Sequence, residues 1–174
     1  MQRYILQSER RIPTKLIDWA ENHKRWNSAH SYWEAHSKPF LLTMTELGRD
    51  YPWHTDSHNM RGQKNDRLWT RILYLTHGSP INFGLWGNHT GYVTTDSAGS
   101  SIPTPDRVHY SLDIYPGLQV EFPSFFIHSV PTQESTQHRW TIVTFLEQHP
   151  TEQHEALWNN AYREYFKNFT FARP

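Results

Sequence analysis

Phe122-Pro123-Ser124-Phe125-Phe126-Ile127-His128-Ser129-Val130, then after a polar turn Arg139-Trp140-Thr141-Ile142-Val143-Thr144-Phe145-Leu146, is the stretch that decides how this chain folds. β-Branched and aromatic residues fill both runs, and Pro, Ser, Gln and Glu separate them, which is the pattern of strands joined by a turn. The connection is long enough to bring the second run back antiparallel beside the first. Working outward, the same texture recurs over 40–46, 51–54, 68–75, 81–85, 92–95, 108–114, 119–122, 125–128 and 140–146, punctuated by turn signals such as Gly78-Ser79-Pro80 and Pro116-Gly117. Short strands without intervening helices predict a mainly β chain, a double-sheet jelly roll in preference to a parallel α/β sheet.

The two ends change period. After Pro13, with Thr14 as N-cap, Leu16, Trp19, His23, Trp26, His30 and Trp33 recur at spacings of three and four, a helical stripe broken near Asn27 and Ser28. At the other end Thr151 caps a helix with Glu152 and Glu155 in its first turn and Trp158, Tyr162, Phe166 and Phe169 on one face. Both stripes are expected to brace the outer face of the sheets. With no repeat and no long linker, one domain is expected over 1–174: helical support over 1–39, a β core over 40–147 and a helix over 150–170.

Composition narrows the function classes. Lys+Arg and Asp+Glu are both 17, so no broad basic face for nucleic acid or anionic lipid is expected. Apolar residues are 36% of the chain, below the ~45–50% usual when Gly is also counted, while aromatic residues reach 15%, so rings must build much of the core. Cysteine is absent, which excludes disulfides, thiolate zinc sites and a Cys nucleophile. No run approaches the ~20 apolar residues of a membrane span, and the N-terminus lacks a signal-peptide core. A soluble, cytoplasmic protein is the expectation.

His54-Thr55-Asp56 presents an imidazole and a carboxylate to one point, because alternate residues of an extended segment face the same way. Alone, His-x-Asp is ordinary surface decoration, and His128 at the end of an apolar run is ordinarily a satisfied core residue. Arg139 and Thr141 lift both readings, since the returning strand faces these two residues into the barrel beside His128. Two His and one carboxylate form the facial triad of non-haem Fe(II) oxygenases. A buried Arg is a bidentate clamp for the far carboxylate of a metal-chelating dicarboxylate, and Thr141 adds a second donor.

On these residues the chain resembles the Fe(II)/2-oxoglutarate-dependent dioxygenases, within them the prolyl 4-hydroxylase-like branch, over roughly 51–146. Tyr51 stands where that branch commonly has a Tyr, and Arg71-Ile72-Leu73-Tyr74-Leu75-Thr76 looks like its Tyr-Leu-Asn strand. Pro116-Gly117-Leu118-Gln119-Val120-Glu121-Phe122 with His128-Ser129-Val130 looks like the segment before and around the distal ligand. The resemblance implies a double-stranded β-helix (jelly roll, cupin-like). It implies Fe(II) held by His54, Asp56 and His128, and 2-oxoglutarate held by Arg139 with Tyr74, Thr141 and Tyr51. O2 is the oxidant and ascorbate a reductant; 2-oxoglutarate is decarboxylated to succinate while a C–H bond is hydroxylated. Because Asp56 fills the position left open in halogenating relatives, hydroxylation is expected.

One departure bears on the substrate. The Gly-Gly-Glu-Leu-like turn of many relatives is replaced by Ile81-Asn82-Phe83-Gly84-Leu85-Trp86-Gly87. Trp69, Trp86, Arg71 and His58 are the candidate substrate residues, with Tyr92 a further wall residue. His58 could also tempt a His-x-x-x-His ligand reading, but that spacing suits a helix and not a strand. The basic stretch Arg61, Lys64, Arg67 and Arg71 reads as a solvated loop or as recognition of an anionic substrate. His149 and His154 flank the last helix and pair with no carboxylate at a convincing spacing. A small-molecule or peptide or protein substrate is expected, with no membrane partner. Two alternatives stand beside hydroxylation of an amino-acid side chain: nucleobase oxidation, disfavoured by neutral charge and the lack of a second Arg near Arg139, and a non-catalytic cupin-like metal-binding domain.

Overall fold

The computed structural model describes residues 1–15, 18, 40–45, 48–57, 67–85, 92–96, 101–134 and 138–167. The N-terminal aromatic stripe, His58, Arg61, Lys64, Trp86 and Phe169 lie outside them. A short 3-10 turn, Gln2–Tyr4, leads into β1 (Leu6–Glu9), then β2 (Phe40–Thr45), β3 (Tyr51–Thr55), β4 (Trp69–Tyr74), β5 (Ile81–Gly84), β6 (Tyr92–Asp96), β7 (Ser101–Pro103), β8 (Tyr110–Leu112), β9 (Leu118–Pro123), β10 (Ile127–Val130) and β11 (Arg139–Leu146), and helix α1 (Glu152–Tyr165) follows.

The strands form two sheets, ordered β1-β9-β4-β11-β2 and β7-β6-β3-β10-β5-β8. Pairing is antiparallel except between β3 and β6. The chain crosses from one sheet to the other at β2–β3–β4–β5 and again at β8–β9–β10–β11, which is a jelly-roll-like winding. Its consequence for the site is direct. The two strands that carry the candidate ligands His54 and His128, β3 and β10, become neighbours in one sheet, while β4 and β11 become neighbours in the other.

Sequence explains most of these elements. In β9, Leu118, Val120 and Phe122 alternate into the core with Ile72, Tyr74, Phe83, Phe125 and Phe126. Each fully buried large side chain contributes about 1.5–3 kcal/mol, and the edge-on contact of Phe83 with Phe122, centroids 5.0 Å apart, adds ring complementarity. The Pro116-Gly117 turn forms as expected. Gly117 has φ of 92°, a left-handed value, and a Cβ there would meet the Arg10 carbonyl at 2.7 Å.

Three expectations need correction. Phe125 and Phe126 are not in a strand: they form the corner between β9 and β10, where the chain changes sheet. β1 and β7 were not legible; both are edge strands, and an edge tolerates the Pro103 that ends β7. Helix α1 begins as read, with Thr151 Oγ1 accepting from the His154 N–H at 3.1 Å. It packs on the Phe125–Phe126 corner through Trp158, Tyr162, Tyr165 and Phe166 more than on a flat sheet face.

Candidate metal centre and its inner face

His54 and His128 are Cα partners across β3 and β10, and their ring centroids are 4.2 Å apart. Asp56 follows β3 immediately, its carboxylate 3.5 Å from His54 Nε2 and 3.4 Å from His128 Nε2. One potential ligand atom from each of the three lies within 4.8 Å of the other two. The tautomers follow from the partners. His54 Nδ1 is 2.8 Å from the Pro52 carbonyl and His128 Nδ1 is 2.9 Å from the Phe126 carbonyl. A carbonyl only accepts, so both Nδ1 atoms carry hydrogen and both Nε2 atoms are turned to the centre, that of His54 toward the Asp56 carboxylate.

Asp56 is fixed from two elements, the β9–β10 corner and β4. Its N–H and that of Ser57 both donate to the Ser124 carbonyl, at 3.0 and 3.1 Å, and Thr70 Oγ1 donates to Asp56 Oδ2 at 2.8 Å. Burial alone would raise the Asp56 carboxyl, but attraction to the facing imidazoles of His128 and His54 and the bonds from His54 and Thr70 outweigh it and hold the group well below the usual range. Burial, assisted by repulsion from His54, pushes His128 down to about 4, which keeps that imidazole neutral. Burial also pulls His54 downward, yet its hydrogen bond and attraction to Asp56 prevail and raise it. A neutral imidazole, a second imidazole and an ionised carboxylate are a donor set for a divalent metal.

The facing sheet supplies the rest. Thr70, Ile72 and Tyr74 share the inner face of β4, and Tyr74 is the Cα partner of Thr141 on β11, with Arg139 two residues on. Thr70 and Tyr74 stand about 13 Å apart along the strand at ~3.3 Å per residue. Arg139 is only 5% exposed, and its guanidinium carbon lies 4.9 Å from the Tyr74 ring centroid. Among the described residues no carboxylate forms an ion pair with Arg139. Its Nε and the Tyr74 hydroxyl are buried without a hydrogen-bond partner there. Burial pushes the Tyr74 phenol up, so it stays protonated and able to donate. A buried, unpaired guanidinium costs several kcal/mol, and such a group beside an orphaned phenol fits an anion as third member.

Two candidate substrate residues are elsewhere. Since Thr70 faces the triad, Trp69 and Arg71 face the other side of β4. Trp69 is fully buried, its indole N–H 3.0 Å from His149 Nδ1, and Arg71 pairs with Glu121 at 3.1 Å. His154, read as unpaired, has Nε2 3.4 Å from the same Glu121. Arg67 lies with its guanidinium carbon 3.8 Å from the Phe145 ring centroid. Tyr51 is 41% exposed and packs its ring against His54 at 4.7 Å. Sequence reasoning missed Thr70 and Ser124, although Thr70 precedes Tyr74 by four residues on one strand and parity puts both on the same face.

A comparison with solved structures finds the viral collagen prolyl hydroxylase of Paramecium bursaria Chlorella virus-1, determined as a 2-oxoglutarate complex. It is 12% identical, with 82% of this chain and 94% of that chain covered and a TM-score of 0.54. The chain has the fold of that prolyl hydroxylase. The resemblance read from motifs, to the prolyl 4-hydroxylase-like Fe(II)/2-oxoglutarate dioxygenases, is thus matched by a likeness of fold and by a His-Asp-His triad. A Pseudomonas putida prolyl-4-hydroxylase overlaps less: 17% identity, TM-score 0.41, 64% of this chain and 54% of that one. AviO1 of Streptomyces viridochromogenes overlaps at 18% identity and TM-score 0.36, with 60% and 47% covered. The chain spans about half the length of these last two. No family model matches it, and no curated protein sequence does.

Proposed function

We propose that the chain is an Fe(II)/2-oxoglutarate-dependent dioxygenase that hydroxylates an unactivated C–H bond of an amino-acid side chain, carried by a protein, a peptide or a small metabolite. The two sheets are read as a double-stranded β-helix. The observation that supports the reading best is Arg139: a buried cation without an anion, beside the orphaned Tyr74 hydroxyl, on the inner face that also carries Thr70 toward the triad. A structural metal site would have no use for it.

His54, Asp56 and His128 would hold the iron, and Arg139, Tyr74 and Thr141 the distal carboxylate of 2-oxoglutarate. Bound together, these two supply the oxidation of a C–H bond by O2 with loss of CO2 to give succinate. The chain's own residues orient and exclude. Thr70 holds the carboxylate of Asp56, and the Ser124 carbonyl holds its backbone N–H. Arg139 would hold the distal carboxylate of the cosubstrate by its charge and N–H donors, Tyr74 would donate its phenolic hydrogen to it, and Thr141 stands directly across from Tyr74. Phe83 and Phe122, centroids 6.1 and 4.9 Å from the His128 ring, keep water from that side.

The test is succinate formation from 2-oxoglutarate with Fe(II), ascorbate and O2, first without and then with mixtures of peptides and amino acids. Wild type is expected to form succinate and Asp56→Ala none. Equal turnover by the two, or 2-oxoglutarate binding that is unaffected by Arg139→Met, would overturn the assignment.

A further inference from the structure

We propose that Tyr165, on helix α1, is a positioning residue for the metal ligand His128 and acts on it through a single peptide group. Tyr165 Oη accepts from the Ile127 N–H at 3.1 Å and donates to the Gly84 carbonyl at 2.7 Å. It therefore bridges two Cα partners across β10 and β5. The Ile127 N–H belongs to the peptide whose other end is the Phe126 carbonyl, and that carbonyl accepts from His128 Nδ1. A trans peptide is planar and rigid, so anchoring its N–H end also sets the direction of its carbonyl, and with it the plane of the imidazole.

The direction of donation is the same at every step: His128 to the Phe126 carbonyl, the Ile127 N–H to the phenol, the phenol to Gly84. A chain of hydrogen bonds in one sense polarises cooperatively. Its effect at the far end is to draw the Nδ1 hydrogen toward the carbonyl and enrich the Nε2 lone pair, the atom offered to a metal. The aromatic ring holds the hydroxyl in place. Tyr165 stacks on Phe126 with centroids 5.0 Å apart and an angle of 19° between planes, and Phe125 lies 5.5 Å away on the corner. The close approach of β5 is equally set: a Cβ on Gly84 would meet Pro105 at 2.5 Å, so the carbonyl that receives the phenol cannot easily shift. Helix α1 thus does more than cover the corner. It orients a ligand that lies in a different sheet element.

This rests on the triad holding a divalent metal, and the experiment separates the two claims. Co(II) or Zn(II) affinity of the full chain is measured by chelator competition, with the Co(II) absorption spectrum as a readout of ligand geometry and the metal-free Tm as a readout of packing. Tyr165→Phe keeps the ring stack and removes the hydroxyl. It is expected to weaken metal binding by about tenfold, the lower end for groups that orient a ligating His, and to alter the Co(II) spectrum; giving up its two hydrogen bonds also lowers Tm, a loss for which the next variant is the control. Glu164→Ala removes contacts of the same helix with Arg3 and Tyr4; it is expected to lower Tm and leave affinity and spectrum as in wild type. Wild-type affinity and spectrum in Tyr165→Phe, or an equal loss of affinity in Glu164→Ala, would overturn the inference while leaving the metal site standing. A wild-type chain that binds neither metal would overturn both.

Discussion

Replacing Arg139 with Met separates folding from function in a way that follows from its surroundings. Arg139 is 5% exposed, its Nε has no hydrogen-bond partner among the described residues, and its guanidinium carbon lies 4.9 Å from the Tyr74 ring centroid. Exchanging a buried ionic group for a well-packed apolar one of similar volume is neutral or stabilises by about 1–4 kcal/mol. The lost cation–π contact offsets about 0.5–2 kcal/mol of that. The expected net gain is about 1 kcal/mol, or roughly 2–4 °C in Tm for a chain of this length. Ligand reverses the order. At 100 times its Kd, 2-oxoglutarate stabilises the wild type by about 2.7 kcal/mol, roughly 5–10 °C, and leaves Arg139→Met unmoved. Thermal unfolding of both proteins with Mn(II), with and without 2-oxoglutarate, reads the crossing. A variant that is less stable than wild type without ligand, together with a wild type that 2-oxoglutarate does not shift, would refute the reasoning and mean that Arg139 is satisfied internally.

Other substitutions probe the supports of the site. Thr70→Val removes the donor to Asp56 Oδ2; chelator competition is expected to show metal affinity about tenfold weaker, and urea unfolding a loss of about 1.5–3 kcal/mol for a bond to an ionised group. Gly84→Ala drives a methyl into Pro105 and should cost about 1–3 kcal/mol in the same unfolding assay; an unchanged midpoint would mean that the loop carrying Pro105 yields. Trp69→Phe, on the outer face of β4, loses the His149 hydrogen bond and some packing, about 1–3 kcal/mol. Its metal affinity should stay within about twofold of wild type, well short of the loss that follows removal of a group orienting a metal ligand, and a larger drop would return Trp69 to the pocket wall.

How far the sequence carries depends on which forces are local. Period-two texture located the strands, because short runs of β-branched and aromatic residues suit a half-buried pleated surface wherever they are. The Thr151 cap was legible because a capping hydroxyl needs only its own helix. His54 and Asp56 on one face were legible from parity, and His128 and Tyr74 joined them through the motif resemblance; the antiparallel return expected of β11 beside His128 does not occur, because β11 pairs with β2 and β4 in the facing sheet and reaches the site across the core. Parity also held the answer for Trp69 and Arg71, since an inward Tyr74 turns both outward; reading them as substrate wall conflicted with the strand they sit on. What lay beyond reach were contacts between elements distant in the chain. Nothing local marks Glu121 as the meeting point of Arg71 and His154, or β1 as the edge partner of β9. Tyr165 follows Trp158 by seven residues and so shares its helix face, which signals burial, but the bridge to Gly84 and Ile127 needs the folded corner.

The most direct measurement is calorimetric titration of 2-oxoglutarate into the full chain loaded with Mn(II) in place of iron. The proposed site predicts one binding event per chain, lost when the metal is withheld, lost in Asp56→Ala because no metal is held, and lost in Arg139→Met although the metal remains. Absence of binding to the metal-loaded wild type, or binding that persists without metal, would contradict it.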